Sequence, residues 1–417
     1  MAQRRFQLTA FLLLTLGLFF LSNATALIAP LWLTTEVVRF ELLFWLMLTL
    51  IIVWEGRKSE FASSFIAIIK TNWIILPFVF FAGISIFWSV YWEISLYRWL
   101  IYLSTIVAGG YIGLKYDLGE IIELLSVFGV YVLLFSTILV FFVPDYGVMN
   151  YHSIQGAWKG VYWHKNHMGL MAVFINVIFL LRVAVSAHKN KRNLLFWGFL
   201  YIFSLLFIFQ TDSVASYLTS IVLHGLILIS LFLLKYGRRL KSVHYLTLGI
   251  IALVAIFIML FNLDFVFGIF NRNTSLTGRV PMWDYLFNTF ISMRLFGGYG
   301  FNAFWYIEDY RIAIQHVVNY PDQVIIAYNG FIDILVYTGY VGLGLFALFY
   351  FGVWWYSIQC ARKARDIIDI FPLILMFYTL IANISWSLIF ENEGFFLLVM
   401  IVVLFSVSSR SSLSRNV

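Results

Sequence analysis

Apolar runs of about 20 residues recur along almost the whole chain, the length one helix needs to cross the roughly 30 Å hydrocarbon core of a bilayer. They fall at residues 8–28, 37–54, 73–90, 96–114, 121–143, 167–185, 194–210, 214–235, 245–263, 329–355, 371–388 and 394–408, which makes about 12 spans. A soluble domain cannot accommodate a chain that is 62% hydrophobic and 11% charged. Barrel strands would show ten-residue alternation instead, and the sequence has none. The expected fold is an all-α polytopic membrane protein, with residues 1–417 as a single integral membrane domain. The first run follows Arg4 and Arg5 as in a signal peptide, but it is long enough to span and is expected to be a retained helix.

Charge sets the expected orientation, because Lys and Arg close to membrane ends stay in the cytoplasm. With a cytoplasmic N-terminus, 19 of the 27 basic residues fall on the cytoplasmic side. The other 8 are Arg39, Arg98, Lys159, Lys165, Arg272, Arg279, Arg294 and Arg311. Both termini are then cytoplasmic. Two polar segments, 144–166 and 264–328, form exoplasmic loops, the second lying between the ninth and tenth spans and holding short helices. Topology alone explains the net charge of +7, with contact to anionic membrane lipids as an addition, and nucleic-acid binding is not expected. The single cysteine, Cys360, offers neither a disulfide framework nor a metal site.

The first loop carries Trp158-Lys159-Gly160-Val161-Tyr162-Trp163-His164-Lys165-Asn166-His167-Met168-Gly169 immediately before a span. Aromatic belts at interfaces account for Trp158, Tyr162 and Trp163 equally well. Belts do not account for Lys159 and Lys165 on the face that topology leaves poor in cations. Two cations, two histidines and Asn166 among aromatics suit a sugar-phosphate: rings stack on sugar faces and ammonium groups meet phosphate. His164 and His167 lack a nearby carboxylate partner, so no metal is expected.

In the second loop, Thr277-Gly278-Arg279 precedes Val280-Pro281, and a proline in a first turn starts a short helix. A guanidinium beside a helix start is a natural anion site, and its fork matches two phosphate oxygens at once. The bland alternative is a solvated arginine paired with Asp284. Gly297-Gly298-Tyr299-Gly300-Phe301 permits tight turns. Asp264, Glu308, Asp309, Asp322 and Asp333 are candidate bases that spacing does not separate.

Together these residues resemble the O-antigen ligase and polymerase superfamily of bacterial envelope proteins, including Wzy-type and exopolysaccharide polymerases. The likeness rests on the order of 158–169, Gly278-Arg279-Val280-Pro281-Met282-Trp283, Gly298-Tyr299-Gly300-Phe301, Tyr328-Asn329-Gly330-Phe331-Ile332-Asp333 and Thr338-Gly339-Tyr340-Val341-Gly342. Ser85-Ile86-Phe87-Trp88-Ser89, Ser95 and Arg98 also look like the family. The resemblance implies a GT-C-like helical fold in the bacterial inner membrane. It implies an inverting, metal-independent and cofactor-free transfer of glycan from undecaprenyl pyrophosphate to an acceptor hydroxyl at the periplasmic face, and it allows a chain-length regulator as a partner. The family's Gly-Arg arginine falls on Arg279, assigned to the donor pyrophosphate. Lys159, Lys165, Arg98, Asn166, Tyr299, Tyr328, Asn329 and His316 complete the expected binding set. His164 and Asp309 are the expected candidates for the base.

Two departures matter. Tyr328 stands where many members have the histidine of His-Asn-Gly, and Asp212-Ser213-Val214-Ala215-Ser216 replaces a Ser-Arg pair, so a second cation must come from Arg98, Lys159 or Lys165. Both favour a polymerase over a ligase that adds glycan to lipid A-core. Transport pathways keep ionisable residues at mid-membrane, whereas the span centres here are nearly free of charge, which disfavours a flippase. A non-catalytic assembly partner would tolerate loss of Arg279.

Overall fold

The computed structural model describes residues 35–56, 61–151, 154–187, 190–236, 279–318, 325–390 and 394–413. Two of the expected spans, 8–28 and 245–263, lie outside the described residues. The described chain is mostly helical. Helices α1 (Thr35–Gly56), α2 (Phe61–Thr71), α3 (Ile75–Ile84), α4 (Trp92–Lys115) and α5 (Leu118–Phe142) are followed by a short hairpin. After it come α6 (Lys165–Ser186), α7 (Lys191–Gln210), α8 (Val214–Tyr236), α9 (Arg279–Tyr285), α10 (Glu308–Val318), α11 (Gly330–Arg362), α12 (Phe371–Ser385) and α13 (Phe395–Leu413). Six described helices are long and apolar enough to cross a membrane, or seven if a bent pair counts as one. This is the architecture of a multi-pass membrane protein.

The expected third span, 73–90, holds Ile75–Trp88, and a further helix that was not expected, Ala62–Thr71, meets it at a 95° bend. Two expectations need correction. The fold is not purely helical: within the 144–166 loop, β1 (Val148–Tyr151) pairs antiparallel with β2 (Ile154–Trp158). Nor does apolar sequence continue as helix after Ser385. Residues 386–390 are unwound, with Trp386, Leu388, Ile389 and Phe390 buried. Irregular backbone at membrane depth is tolerated only where protein covers it.

Local signals set the helix starts. Asp117 and Glu120 form a capping box for α5, and Asn190 caps α7 through the amide of Arg192. Asn329 caps α11, accepting from the amides of Phe331 and Ile332. Helix α13 is buried from Phe395 to Ser408, whereas α7 exposes Leu195, Phe199, Ile202 and Phe209 along one stripe. That stripe is the lipid-facing side of a bundle that packs inward around α6 and α13.

Helix α11 breaks at Gly339, whose backbone lies at φ 63° and ψ −171°. The break frees backbone groups that an apolar setting would leave unpaired at a cost of several kcal/mol each. A loop fills the gap: Tyr299 and Gly300 donate their amides to the carbonyls of Val336 and Tyr337, and the Tyr340 amide donates to Leu295. Gly298 (φ 63°) runs so close that an added Cβ would sit 2.5 Å from the Tyr337 carbonyl carbon and the Thr338 nitrogen. The sequence motifs at 298–301 and 338–342 are thus two halves of one contact. The motif at 85–98 holds that contact from the other side: Ser85 Oγ accepts the Phe301 amide, Ser95 Oγ donates to the Phe301 carbonyl, and the Trp88 indole donates to Gly297.

Candidate anion and glycan site at the helix ends

The structure gathers residues from both polar loops at one end of the bundle, around the start of α6. His164 is the N-cap of α6, and its Nδ1 accepts the amide of Asn166 at 3.0 Å. A neutral imidazole that accepts at Nδ1 carries its proton on Nε2. The ring is 5% exposed and lies 5.2 Å from Trp386 and 5.3 Å from Trp163, centroid to centroid. Burial first, and then the positive charge of Arg279, Lys165, His167 and Lys159, push the His164 pKa down to about 3. His164 is therefore an uncharged hydrogen-bond donor at neutral pH, surrounded by cations.

Each cation is held differently. Arg279 opens α9, with Nη1 donating to the carbonyl of Ser385 at 2.9 Å and Cζ 5.1 Å from the centre of the Tyr328 ring. Ser385 ends α12, so the guanidinium satisfies a carbonyl that no helical amide reaches. Tyr328 takes a left-handed backbone (φ 52°), uncommon outside glycine, and its ring meets Trp386 edge-on at 5.3 Å. Lys165 is buried, its Nζ 2.8 Å from the carbonyl of Asp212 and 3.0 Å from the carboxylate. That reach depends on Gly169, where a Cβ would meet Ser216 and Thr211 at the corner between α7 and α8. Lys159 is half-buried, and its ammonium meets no carboxylate among the described residues. Burial lowers its pKa from the ordinary lysine value.

Three cations and one carboxylate leave a local excess of positive charge beside the N-termini of α6 and α11, whose dipoles also favour an anion. This arrangement can hold a di-anionic phosphate group with aromatic surface next to it. Among the described residues, no group of three or more His, Cys, Asp or Glu is placed to hold a metal ion.

The expected set is thus brought together in part. Arg279, His164, Lys159, Lys165, Asn166, Tyr328 and Asn329 share this end of the bundle. Arg98 is buried on α4 and donates to the Tyr306 hydroxyl at 2.6 Å, bracing the loop. Tyr299 is buried inside the loop, its hydroxyl donating to the Phe290 carbonyl at 3.0 Å. Asp309 and His316 are exposed at the two ends of α10, and neither makes a hydrogen bond or ion pair with the cluster. Sequence reasoning missed Trp386, which touches Trp163, His164, His167 and Tyr328. Its position inside an apolar run gave no signal, because only the unwinding after Ser385 brings it to the site.

Comparison with known proteins gives two likenesses. Residues 199–347 match the profile of the O-antigen ligase family, a stretch that takes in Arg279, the glycine loop, the 328–333 motif and the break in α11. The chain is also 24% identical over 288 residues to the exopolysaccharide production protein ExoQ of Rhizobium meliloti (strain 1021). Over residues 199–347 the chain is similar to the O-antigen ligase family. The ExoQ alignment covers 66% of this chain and 62% of that protein, so the chain matches less than two thirds of its relative's length. Of the site residues, Arg279, Tyr328 and Asn329 lie inside the matched stretch, and Lys159, His164, Lys165 and Trp386 lie outside it.

Proposed function

We propose that this protein is a polysaccharide polymerase of the bacterial inner membrane, an inverting and metal-independent transferase. It moves glycan from undecaprenyl pyrophosphate onto the acceptor sugar of another lipid-linked repeat unit at the periplasmic face. The observation that carries the reading is the meeting of Arg279, Lys159 and Lys165 around a neutral, buried His164 at two helix N-termini. In the reaction the anomeric C–O bond to the diphosphate breaks while the acceptor oxygen forms the new bond on the opposite face. Negative charge grows on the departing diphosphate, and preorganised cations and donors aimed at such charge are usually the largest contribution to a transfer rate. Arg279 supplies the fork, Lys159 and Lys165 supply charge, and His164 Nε2–H supplies a neutral donor. Its Nδ1 lone pair is occupied by the helix cap, so His164 acts here as donor rather than as base, and the acceptor proton passes to solvent. Basic residues at the opposite helix ends, Lys191, Arg192, Lys235 and Arg362, support a periplasmic site under the positive-inside rule.

The family description favours a second reading, ligation of glycan to lipid A-core. Tyr328 in place of the ligase histidine and the exopolysaccharide relative favour the polymerase. Reconstitution with a lipid-linked repeat unit tests this: a polymerase yields a ladder, a ligase a single addition to a lipid A-core acceptor. Arg279→Ala is expected to collapse chain length while protein level and single lipid-linked units persist. Retained long chains would remove the site assignment, and failure of single units to reach the exterior would favour transport.

A further inference from the structure

The guanidinium of Arg279 is fixed by two points, the Ser385 carbonyl and the Tyr328 ring. Tyr328 lies outside regular structure, and Ser385 is held by regular structure from one side alone. Ser385 is the last residue of α12 before the unwound 386–390 segment, and Tyr328 is a left-handed residue ahead of the α11 cap. Something else must hold both in register.

One side chain reaches both. Asp333, fully buried in the first turn of α11, accepts the Ala327 amide with Oδ1 at 3.1 Å and Oδ2 at 3.3 Å, next door to Tyr328. Its Oδ2 also accepts the hydroxyl of Ser387, two residues beyond Ser385. Its Oδ1 accepts the Trp305 indole at 2.7 Å, tying in the loop that fills the break in α11. At the other end of the same residue, the Ala327 carbonyl accepts the indole of Trp283, which belongs to α9, the helix that Arg279 begins. Thus the segments bearing Tyr328 and Ser385 meet on one carboxylate, and the helix bearing Arg279 is tied to the first of them through Ala327.

We infer that Asp333 is a positioning residue that sets the Arg279 guanidinium for the transferring diphosphate, and that it acts through the Ala327 and Ser387 arms rather than as a base. The inference rests on the transferase reading above. With indole, amide and hydroxyl donors on its two oxygens, Asp333 has no lone pair directed at an acceptor sugar. A Ser387 hydroxyl could turn to accept from an Asn NH₂, whereas an Ala side chain accepts nothing, so Asp333→Ala is the substitution that breaks both arms.

The test uses full-length protein in proteoliposomes with a lipid-linked repeat unit. Misplacing a catalytic group by about 1 Å costs roughly 100-fold in rate, so Asp333→Ala should lower kcat by about that factor with KM for the donor nearly unchanged. The same substitution made in an Arg279→Lys background, which keeps charge but loses the fork, should add less than about threefold, because groups acting as a unit are not additive. A kcat equal to wild type, or a full multiplicative loss on top of Arg279→Lys, overturns the inference. If Asp333→Ala does not accumulate in membranes, Ser387→Ala removes one arm alone and should cost about tenfold, with the same lack of additivity; wild-type kcat there also overturns it. Wild-type activity of Arg279→Ala would instead sink the transferase site, whatever Asp333 does.

Discussion

His164 makes the sharpest solution prediction, because the folded protein holds its imidazole neutral down to about pH 3 while an unfolded histidine protonates near 6.5. Below pH 6.5 the unfolded state therefore binds a proton that the folded state refuses, and stability falls as pH falls. The slope is about 1.4 kcal/mol per pH unit for one group, so lowering the pH from 6.5 to 5 should remove about 2 kcal/mol through His164. His164→Asn keeps an N-cap side chain for α6 and abolishes this titration. At pH 7.5 the variant should melt lower than wild type, since it loses ring packing against Trp386 worth about 0.5–1.5 kcal/mol. On acidification the gap should close or reverse, because wild type alone carries the His164 contribution. Apparent melting temperatures in detergent micelles at pH 7.5, 6.5, 5.8 and about 5 read this directly, and 2 kcal/mol corresponds to a few degrees. Other titrating groups cancel in the difference between the two proteins. Parallel profiles would show that His164 already carries a proton in the folded state or is not enclosed by cations, and the neutral-donor role would fall with them.

Gly298→Ala meets both a left-handed backbone and a carbonyl carbon at 2.5 Å, so it should cost about 2–4 kcal/mol and lower the melting temperature measurably. An unshifted melt would show that the loop does not seat in the break of α11. Asp309→Asn and His316→Ala, at exposed positions on α10, should each leave the rate of chain extension in proteoliposomes within about twofold, the scale of an ordinary surface substitution. A loss of 100-fold in either would return that residue to the reaction.

What the sequence could tell depended on whether a residue's role is decided locally. Apolar length is local, so helices appear at ten of the twelve expected spans, and caps such as Asp117 and Asn329 are where short polar residues at helix starts belong. Lys159, Lys165 and Arg279 could be read as a group because topology leaves their face poor in cations, and the structure does draw them together around His164. Nothing local distinguishes Arg98 from Arg279, yet one braces Tyr306 inside the protein and the other stands at the helix ends, because α4 packs where the long loop folds back. The same limit hid Asp333 among five acidic candidates. Its position in the first turn after a capping asparagine was visible; its partners Trp305, Ala327 and Ser387 come from three separate segments and could not be. The region around Trp386 failed for a different reason. Hydropathy records that a residue avoids water, and a buried irregular segment avoids water as completely as a helix does. Broken helices and unwound segments therefore look like spans in the sequence. Here those interruptions, at Gly339 and after Ser385, seat the loop at 295–300 on α11 and bring Trp386 beside His164 and Tyr328.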